Sequence, residues 1–114
     1  MKDKEYPQYS GKVILLMDER SVSQSETTIM SLRQSPNAVV IGSESRGANG
    51  DLVEVKLPGD LRINMSGLGV YTAEGEQTQR VGLKPDIEIF PTIQGIKEGR
   101  DELLEKGIEE ILNN

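Results

Sequence analysis

Residues 13–17 (Val-Ile-Leu-Leu-Met) and 38–41 (Ala-Val-Val-Ile) are the two continuous apolar runs that decide the fold. Each is short and uninterrupted, which is the pattern of a strand buried on both faces of a mostly parallel sheet. The segment between them, residues 23–33, has the apolar spacing of a helix whose inward side is Ile29, Met30 and Leu32, and Pro36-Asn37 ends it. A strand, a helix and a strand in about 30 residues indicate a βαβ unit and therefore an α/β fold.

The second half of the chain adds smaller elements. Apolar residues alternate with polar ones in 53–57 and 61–65, around Pro58-Gly59-Asp60, which predicts a β-hairpin with one buried face. Ile87 and Ile89 predict one more short strand. The pattern thus adds a hairpin and a short strand to the βαβ core.

The C-terminal segment, from about residue 99 to residue 112, has the pattern of an amphipathic helix. Its apolar residues are expected on one face: Leu103, Leu104, Ile108, Ile111 and Leu112. Residues 1–11 are polar and predict a loose lead-in, so residues 12–114 are expected to form one domain.

Composition excludes several classes of function. A net charge of −6 without a basic stripe argues against nucleic acid as a partner. No apolar run approaches a membrane span or a signal peptide, and without cysteine there is no disulfide and no thiolate chemistry. Histidine is absent from all 114 residues, which excludes an internal Ser-His pair. With only 35% hydrophobic residues, the core should be thin, and some apolar surface is expected to face another part of a larger protein.

Ser23 is the residue of greatest chemical interest, and its position allows two interpretations. Ser23-x-x-Glu26 fits a capping box, a common helix start that stabilises by only ~1 kcal/mol. The same position, between a buried strand and a helix, is where ligands of open α/β sheets bind and where free N–H groups can stabilise an oxyanion. Spacing alone does not separate a helix cap from a nucleophile.

An ordered series of motifs resembles the protease core of the C-terminal-processing (tail-specific) and tricorn-core serine protease family. The family's nucleophile motif reads Ser-Ala-Ser-Glu or Ser-Gln-Ala-Glu after a buried strand, and a later motif reads Gly-hydrophobic-x-Pro-Asp. The matching stretches are Val13–Met17, Ser23–Glu26, Val39–Gly42, Gly47–Gly50, Leu57–Gly59, Gly82–Asp86, Pro91–Gly95 and Gly99–Glu102. The resemblance spans roughly residues 11–112 and implies a partial crotonase- or ClpP-like core, the C-terminal part of a catalytic domain.

The resemblance also implies roles for particular residues. Ser23 would be the nucleophile and the backbone N–H of Gln24 one donor of the oxyanion hole, with the second donor outside this chain. Glu26 occupies the acidic position of the motif, although a plain capping role explains it equally well. Ser21 and Ser25 are the fallback nucleophiles, and Ser25 is expected to point into the helix packing.

The sequence departs from the family pattern at the base. Many members carry a lysine in a Gly-Lys-Gly loop, where this chain has Ala48. Tricorn-like members use a histidine from a preceding segment, oriented by polar residues that include a glutamate near the position of Gln79. A Ser–Lys dyad is therefore not expected, and the base is expected to come from a segment that this chain lacks.

We therefore expect the C-terminal part of a serine endopeptidase that is inactive by itself. Its partners would be a peptide or protein substrate and the N-terminal remainder of its own protease, and no cofactor or metal is expected. The resemblance implies an exported, periplasmic location in a bacterium. Two alternatives stay open: a catalytically inactive peptide-binding or structural subdomain, and an acyl-CoA enzyme of crotonase type, which would not need the serine.

Overall fold

The computed structural model describes residues 9–113, so most of the predicted lead-in lies outside the described residues. The elements in chain order are β1 (Val13–Met17), α1 (Gln24–Leu32), β2 (Ala38–Gly42), β3 (Leu52–Leu57), β4 (Leu61–Ser66), β5 (Ile87–Glu88), α2 (Ile93–Glu98) and α3 (Glu102–Leu112). The α/β class, the added hairpin and the C-terminal helix are confirmed. No helix within residues 9–113 has the length and apolar character to cross a membrane.

The main sheet has three parallel strands in the order β1-β2-β5. Its first two strands pair from Val13 opposite Ala38 to Met17 opposite Gly42, with α1 connecting them. This is the predicted βαβ unit. The short β5, with Ile87 opposite Ile41, joins the other side of β2, so β1 is an edge strand among the described residues.

The small core lies between this sheet and α1. Met17, Ile29, Val40 and Leu83 form one buried cluster, and Leu15 and Met30 pack against it. Ile29 and Met30 of the helix therefore face inward as predicted. Leu32, which was also expected to face inward, is 47% exposed.

The hairpin has the predicted strands and register, but its apolar face is not buried. Val53 lies opposite Met65 and Val55 opposite Ile63, and the two strands form a sheet of their own. Six of its large apolar side chains are more than a third exposed: Leu52, Val53, Leu57, Leu61, Ile63 and Met65. The prediction of one buried face is therefore wrong within residues 9–113, because no other described element covers the hairpin.

The C-terminal region contains two helices where one was predicted. The Thr92 side chain caps α2 by accepting from the Gly95 N–H, and Gly99 ends this helix in the left-handed conformation. Asp101 then caps α3. Thr92 can cap the start of a short helix and Gly99, seven residues later, can end it. This spacing is the sequence signal of α2 that the prediction missed.

The α3 helix contacts β1 and β2 with only part of the predicted face, because Leu103 lies against Gly42 and the closest approach is at Gly107. A Cβ on Gly107 would lie 3.2 Å from Ile14 and 3.4 Å from Leu16, so the glycine allows the helix to approach the sheet closely. Leu104 and Ile108 are each 48% exposed. The predicted apolar face is thus largely exposed, because the helix packs through its smallest residue.

Candidate active site

Ser23 lies between β1 and α1 in a backbone conformation unusual for a helix cap. Its φ is 55° and its ψ is −115°, whereas an ordinary N-cap residue is extended. A positive φ costs a residue with a side chain roughly 1–2 kcal/mol. Such strain at an exposed polar residue is typical of functional turns, including the strand-to-helix turn that presents a nucleophilic serine.

A capping box links Ser23 and Glu26. The Ser23 N–H donates to Glu26 Oε2 at 3.0 Å, and the Ser23 side chain faces the backbone N–H of Glu26. The serine side of the box does not form a capping hydrogen bond of ordinary geometry. Ser23 is an exposed residue.

Gln24 is the first residue of α1, and its N–H group is available. Within residues 9–113 this N–H donates no backbone hydrogen bond outside the helix and none to a side chain. A free N–H at a helix N-terminus adds to the positive end of the helix dipole. The Gln24 N–H could therefore donate a hydrogen bond to negative charge that develops beside Ser23.

Glu26 is fully buried and joins three segments of the chain. Its Oε2 accepts from the Ser23 N–H, while its Oε1 accepts from Ser45 Oγ at 2.6 Å and from the Gly47 N–H at 2.8 Å. All three neighbouring groups donate hydrogen bonds, so both oxygens of the carboxylate act as acceptors. This contact set is larger than that of a simple capping residue.

The loop that follows β2 lies directly beside Ser23. The Ser23 N–H also donates to the carbonyl oxygen of Ala48 at 3.0 Å. Gly47 has a φ of 68°, and a Cβ there would lie 2.7 Å from the Gly82 nitrogen. The glycine therefore permits a tight bend beside the serine, and Ala48, the residue in the lysine's place, is exposed at that bend.

Gln79 is held by main-chain hydrogen bonds. Its Nε2 donates to the carbonyl oxygens of Asn49, at 2.9 Å, and Leu68, at 2.6 Å. Its Oε1 accepts from the Val70 N–H at 3.2 Å. The side chain thus connects the loop after β2 to the segment after the hairpin, and only the amide oxygen retains capacity for a further donor.

The two fallback serines take part in the turn around Ser23. Ser21 Oγ accepts from the Asp18 N–H at 3.2 Å. Ser25 is exposed, and its Oγ accepts from the Val22 N–H and donates to the Val22 carbonyl. The expectation that Ser25 points into the helix packing is therefore wrong. The first turn of α1 directs this side chain outward and back to the preceding loop.

The Gly82–Asp86 motif has a structural explanation that the sequence did not supply. Leu83 is 2% exposed in the core, and Ser45 exchanges hydrogen bonds with its backbone. Asp86 Oδ2 accepts from the Val40 N–H at 2.8 Å, and Oδ1 accepts from Arg33 at 3.1 Å. The motif therefore fixes β2, α1 and the loop after β2 relative to one another.

Charged groups near the end of β1 form a local turn. Asp18 accepts hydrogen bonds from the backbone and the guanidinium of Arg20, and the guanidinium bond lowers the pKa of this carboxyl below its ordinary value of 3.8. Among the described residues no group of three or more acidic side chains is placed to hold a metal ion.

A comparison with models of protein families identifies the family to which the chain belongs. The model of peptidase family S41 matches residues 1–89. A protein of Chlamydia muridarum (strain MoPn / Nigg) is 26% identical over 114 aligned residues, which cover 94% of this chain and 19% of that protein.

Solved structures share the fold. A Parabacteroides merdae protein described as a peptidase matches with a TM-score of 0.85 and 25% identity, covering 96% of this chain and 34% of that one. Mature CPAF matches with a TM-score of 0.79 and 24% identity, covering 97% and 22% of the two chains.

The tricorn protease and the photosystem II D1 C-terminal processing protease also share the fold, with TM-scores of 0.77 and 0.61. The resemblance to C-terminal-processing and tricorn-core proteases is therefore confirmed, and these relatives are peptidases. The chain spans only 19% to 34% of the length of the Chlamydia muridarum and Parabacteroides merdae proteins. The match over residues 1–89 covers most of the sequence, and the chain belongs to peptidase family S41.

Proposed function

We propose that this chain is the C-terminal part of the catalytic domain of a serine endopeptidase, with Ser23 as its nucleophile. Ser23 Oγ attacks the peptide carbonyl carbon, a base takes the hydroxyl proton, and the Gln24 N–H stabilises the oxyanion. The C–N bond then breaks, the base returns the proton to the leaving amine, and water hydrolyses the resulting ester. The substrate is a peptide or protein.

The observation that carries this proposal is the conformation of Ser23. A residue recruited only to cap α1 would be extended and would use its hydroxyl as the cap acceptor. Ser23 instead has a strained positive φ of 55° and an exposed side chain. The positive φ suits an attacking serine better than an ordinary cap, and the free N–H of Gln24, a feature of helix N-termini in general, is available to the oxyanion.

The base comes from a segment outside these 114 residues. The sequence has no histidine, and the loop beside Ser23 presents Ala48 where a lysine would be needed. An alanine side chain cannot accept a proton, so the hydroxyl has no activating partner here. The single free acceptor position on Gln79 Oε1 is compatible with a contact to an imidazole N–H supplied from elsewhere.

The open edge of β1 is where we place that segment. The Val13 N–H donates to Asn37 and the Met17 carbonyl accepts from Ser43, so odd-numbered residues of β1 bond to β2. By alternation, the backbone groups of Ile14 and Leu16 point to the free edge. A groove of about 410 Å³ runs along this edge between β1 and α1, and Gln24 is among its lining residues.

An unpaired strand edge presents free N–H and C=O groups and is a template for pairing with another strand. A strand added there would arrive beside Gln24 and could carry both the base and the second oxyanion donor. The greater length of the relatives supports a longer parent protein. The exported location implied by the resemblance stays a prediction.

The experiment is peptide hydrolysis by the full-length protease and two variants. Ser23→Ala is expected to reduce kcat/KM by roughly 10⁴-fold or more, because the nucleophile is lost. Ser25→Ala is the matched control and is expected to retain activity within about threefold, since that hydroxyl only bonds the Val22 backbone. Full activity in Ser23→Ala would refute the proposal.

The second candidate is an inactive peptide-binding or structural subdomain, and Ala48 is the observation that favours it. No hydrolysis by the full-length protein, together with retained peptide binding, would favour that candidate.

A further inference from the structure

We propose that Ser45 is a positioning residue for Ser23, acting through the buried carboxylate of Glu26. This inference rests on the proposed function, because it assigns a supporting residue to the same site. Ser45 contacts neither the substrate nor Ser23 itself.

The contacts of Ser45 form a directed chain. Its Oγ donates to Glu26 Oε1 at 2.6 Å and accepts from the Leu83 N–H at 2.8 Å. One donor and one acceptor are thus used in a fixed direction, from Leu83 through Ser45 to Glu26. Ser45 is 7% exposed and Glu26 is 0% exposed, so water has little access to replace these bonds.

The other carboxylate oxygen of Glu26 links Ser45 to Ser23, the candidate nucleophile. Oε2 accepts from the Ser23 N–H at 3.0 Å, and both oxygens belong to one rigid planar group. The Ser45 hydroxyl and the Gly47 N–H, both bound to Oε1, set the rotation of that group. The rotation in turn fixes the direction of the Ser23 N–H and helps to hold the strained φ of 55°.

Removing the Ser45 hydroxyl would leave Oε1 with one donor instead of two and would leave the Leu83 N–H without its side-chain acceptor. The carboxylate could then rotate, and Ser23 could relax toward the extended conformation of an ordinary cap. Relaxation would misplace Oγ relative to a bound carbonyl, and small misplacements of reacting groups reduce turnover strongly. Substrate binding would change little, because Ser45 is buried away from the surface.

Ser43 provides the matched control for this test. It is a buried serine two residues earlier, 6% exposed, and its Oγ bonds the exposed Glu19 at 3.3 Å rather than Glu26. Ser43→Ala therefore removes the same atom from the same loop without touching the Ser45–Glu26 contact.

The first test is amide hydrogen exchange on the purified full-length protease, with Val40 in the core as the internal reference. Ser45→Ala should speed exchange at the Ser23 amide by about tenfold relative to Val40, because the contact with Glu26 loosens while the contact with the Ala48 carbonyl remains. Ser43→Ala should leave this ratio within about threefold. Equal acceleration at Ser23 and Val40 would mean global destabilisation only and would overturn the proposal.

The second test is the kinetics of the full-length protease. Ser45→Ala should lower kcat by roughly 10- to 100-fold with KM within about twofold, whereas a residue that only stabilises the fold would leave kcat per folded molecule unchanged. An unchanged kcat in Ser45→Ala, with Ser23→Ala inactive, overturns the positioning role alone. Activity in Ser23→Ala would instead overturn the proposed nucleophile, so the two failures are distinguishable.

Ser45→Ala is compared with Glu26→Gln, which keeps the shape of the side chain and removes one acceptor. The same selective acceleration at Ser23 is expected there. If Ser45→Ala does not fold, unchanged exchange at Ser23 in Glu26→Gln would overturn the proposal.

Discussion

The backbone N–H of Ser23 donates to the carbonyl oxygen of Ala48 at 3.0 Å, so the loop after β2 lies beside the candidate nucleophile. The loop thus occupies the place where a lysine base could act, but at Ala48 it offers only a main-chain acceptor. The loop lies close to Ser23, but the Ala48 side chain cannot accept a proton. In the proposed mechanism the base would therefore approach Ser23 from another segment.

The isolated chain is expected not to hydrolyse peptides, because a serine hydroxyl without a base is hardly ionised at neutral pH. The measurement is release of a fluorophore from a quenched peptide library by the purified 114-residue chain. The Ser23→Ala chain is the control for contaminating protease. Turnover by the chain that disappears in Ser23→Ala would contradict the assignment of the base to another segment.

Glu26→Gln should reduce the free energy of unfolding by about 1–3 kcal/mol, since an amide leaves a buried donor unsatisfied in either orientation. With its oxygen toward Ser45 and Gly47, its NH₂ faces the Ser23 N–H; the opposite orientation loses the other two bonds. Urea denaturation measures the change.

The exposed Glu44→Gln is the control for that variant and should lie within about 0.5 kcal/mol of the unmodified chain. Equal stability of both variants would mean that the hydrogen bonds of Glu26 contribute nothing measurable.

Gly82→Ala should destabilise the chain more than Gly75→Ala does. Both glycines have a φ of 83°, so both variants carry the cost of a left-handed residue, roughly 1–2 kcal/mol. A Cβ on Gly82 would also lie 2.5 Å from the Ser45 carbonyl oxygen, whereas Gly75 has no atom within 4 Å. Thermal or urea unfolding of the pair isolates the steric contribution. Equal losses would contradict the close packing of Gly82 on Ser45.

Asp18→Asn should destabilise the chain slightly at neutral pH, and the difference should vanish in acid. The hydrogen bond from the Arg20 guanidinium lowers the pKa of Asp18 in the folded state. Its stabilising contribution is therefore fully present above the ordinary carboxyl pKa of 3.8 and is lost as the pH falls through the lower folded-state pKa. Urea midpoints of both proteins across this range provide the measurement, and a constant difference would contradict the shift.

The sequence predicted the elements whose signals are local. The apolar runs of β1 and β2 and the helix between them needed only periodicity and length, and the hairpin register followed from alternation around Pro58-Gly59-Asp60. Burial was predicted less well, because it depends on what covers a face. The exposed Ile63 of the hairpin and Ile108 of α3 are both apolar residues on correctly identified elements.

The candidate site likewise includes features that the sequence predicted and features that it did not. Resemblance located Ser23 and Glu26, and the structure places them in direct contact. Ser45 gave no sequence signal, because a buried serine in a loop is identical in pattern to an exposed one. The positive φ of Ser23 could not be predicted either, since S-x-x-E is compatible with an ordinary extended cap.

The central claim is that Ser23 is the nucleophile, and covalent labelling of the full-length protease tests it most directly. A fluorophosphonate probe followed by peptide mass spectrometry should place one adduct on Ser23, should leave Ser21 and Ser25 unmodified, and should find no adduct in Ser23→Ala. Labelling of Ser23→Ala at the same rate and stoichiometry would contradict the account and would move the nucleophile to another residue.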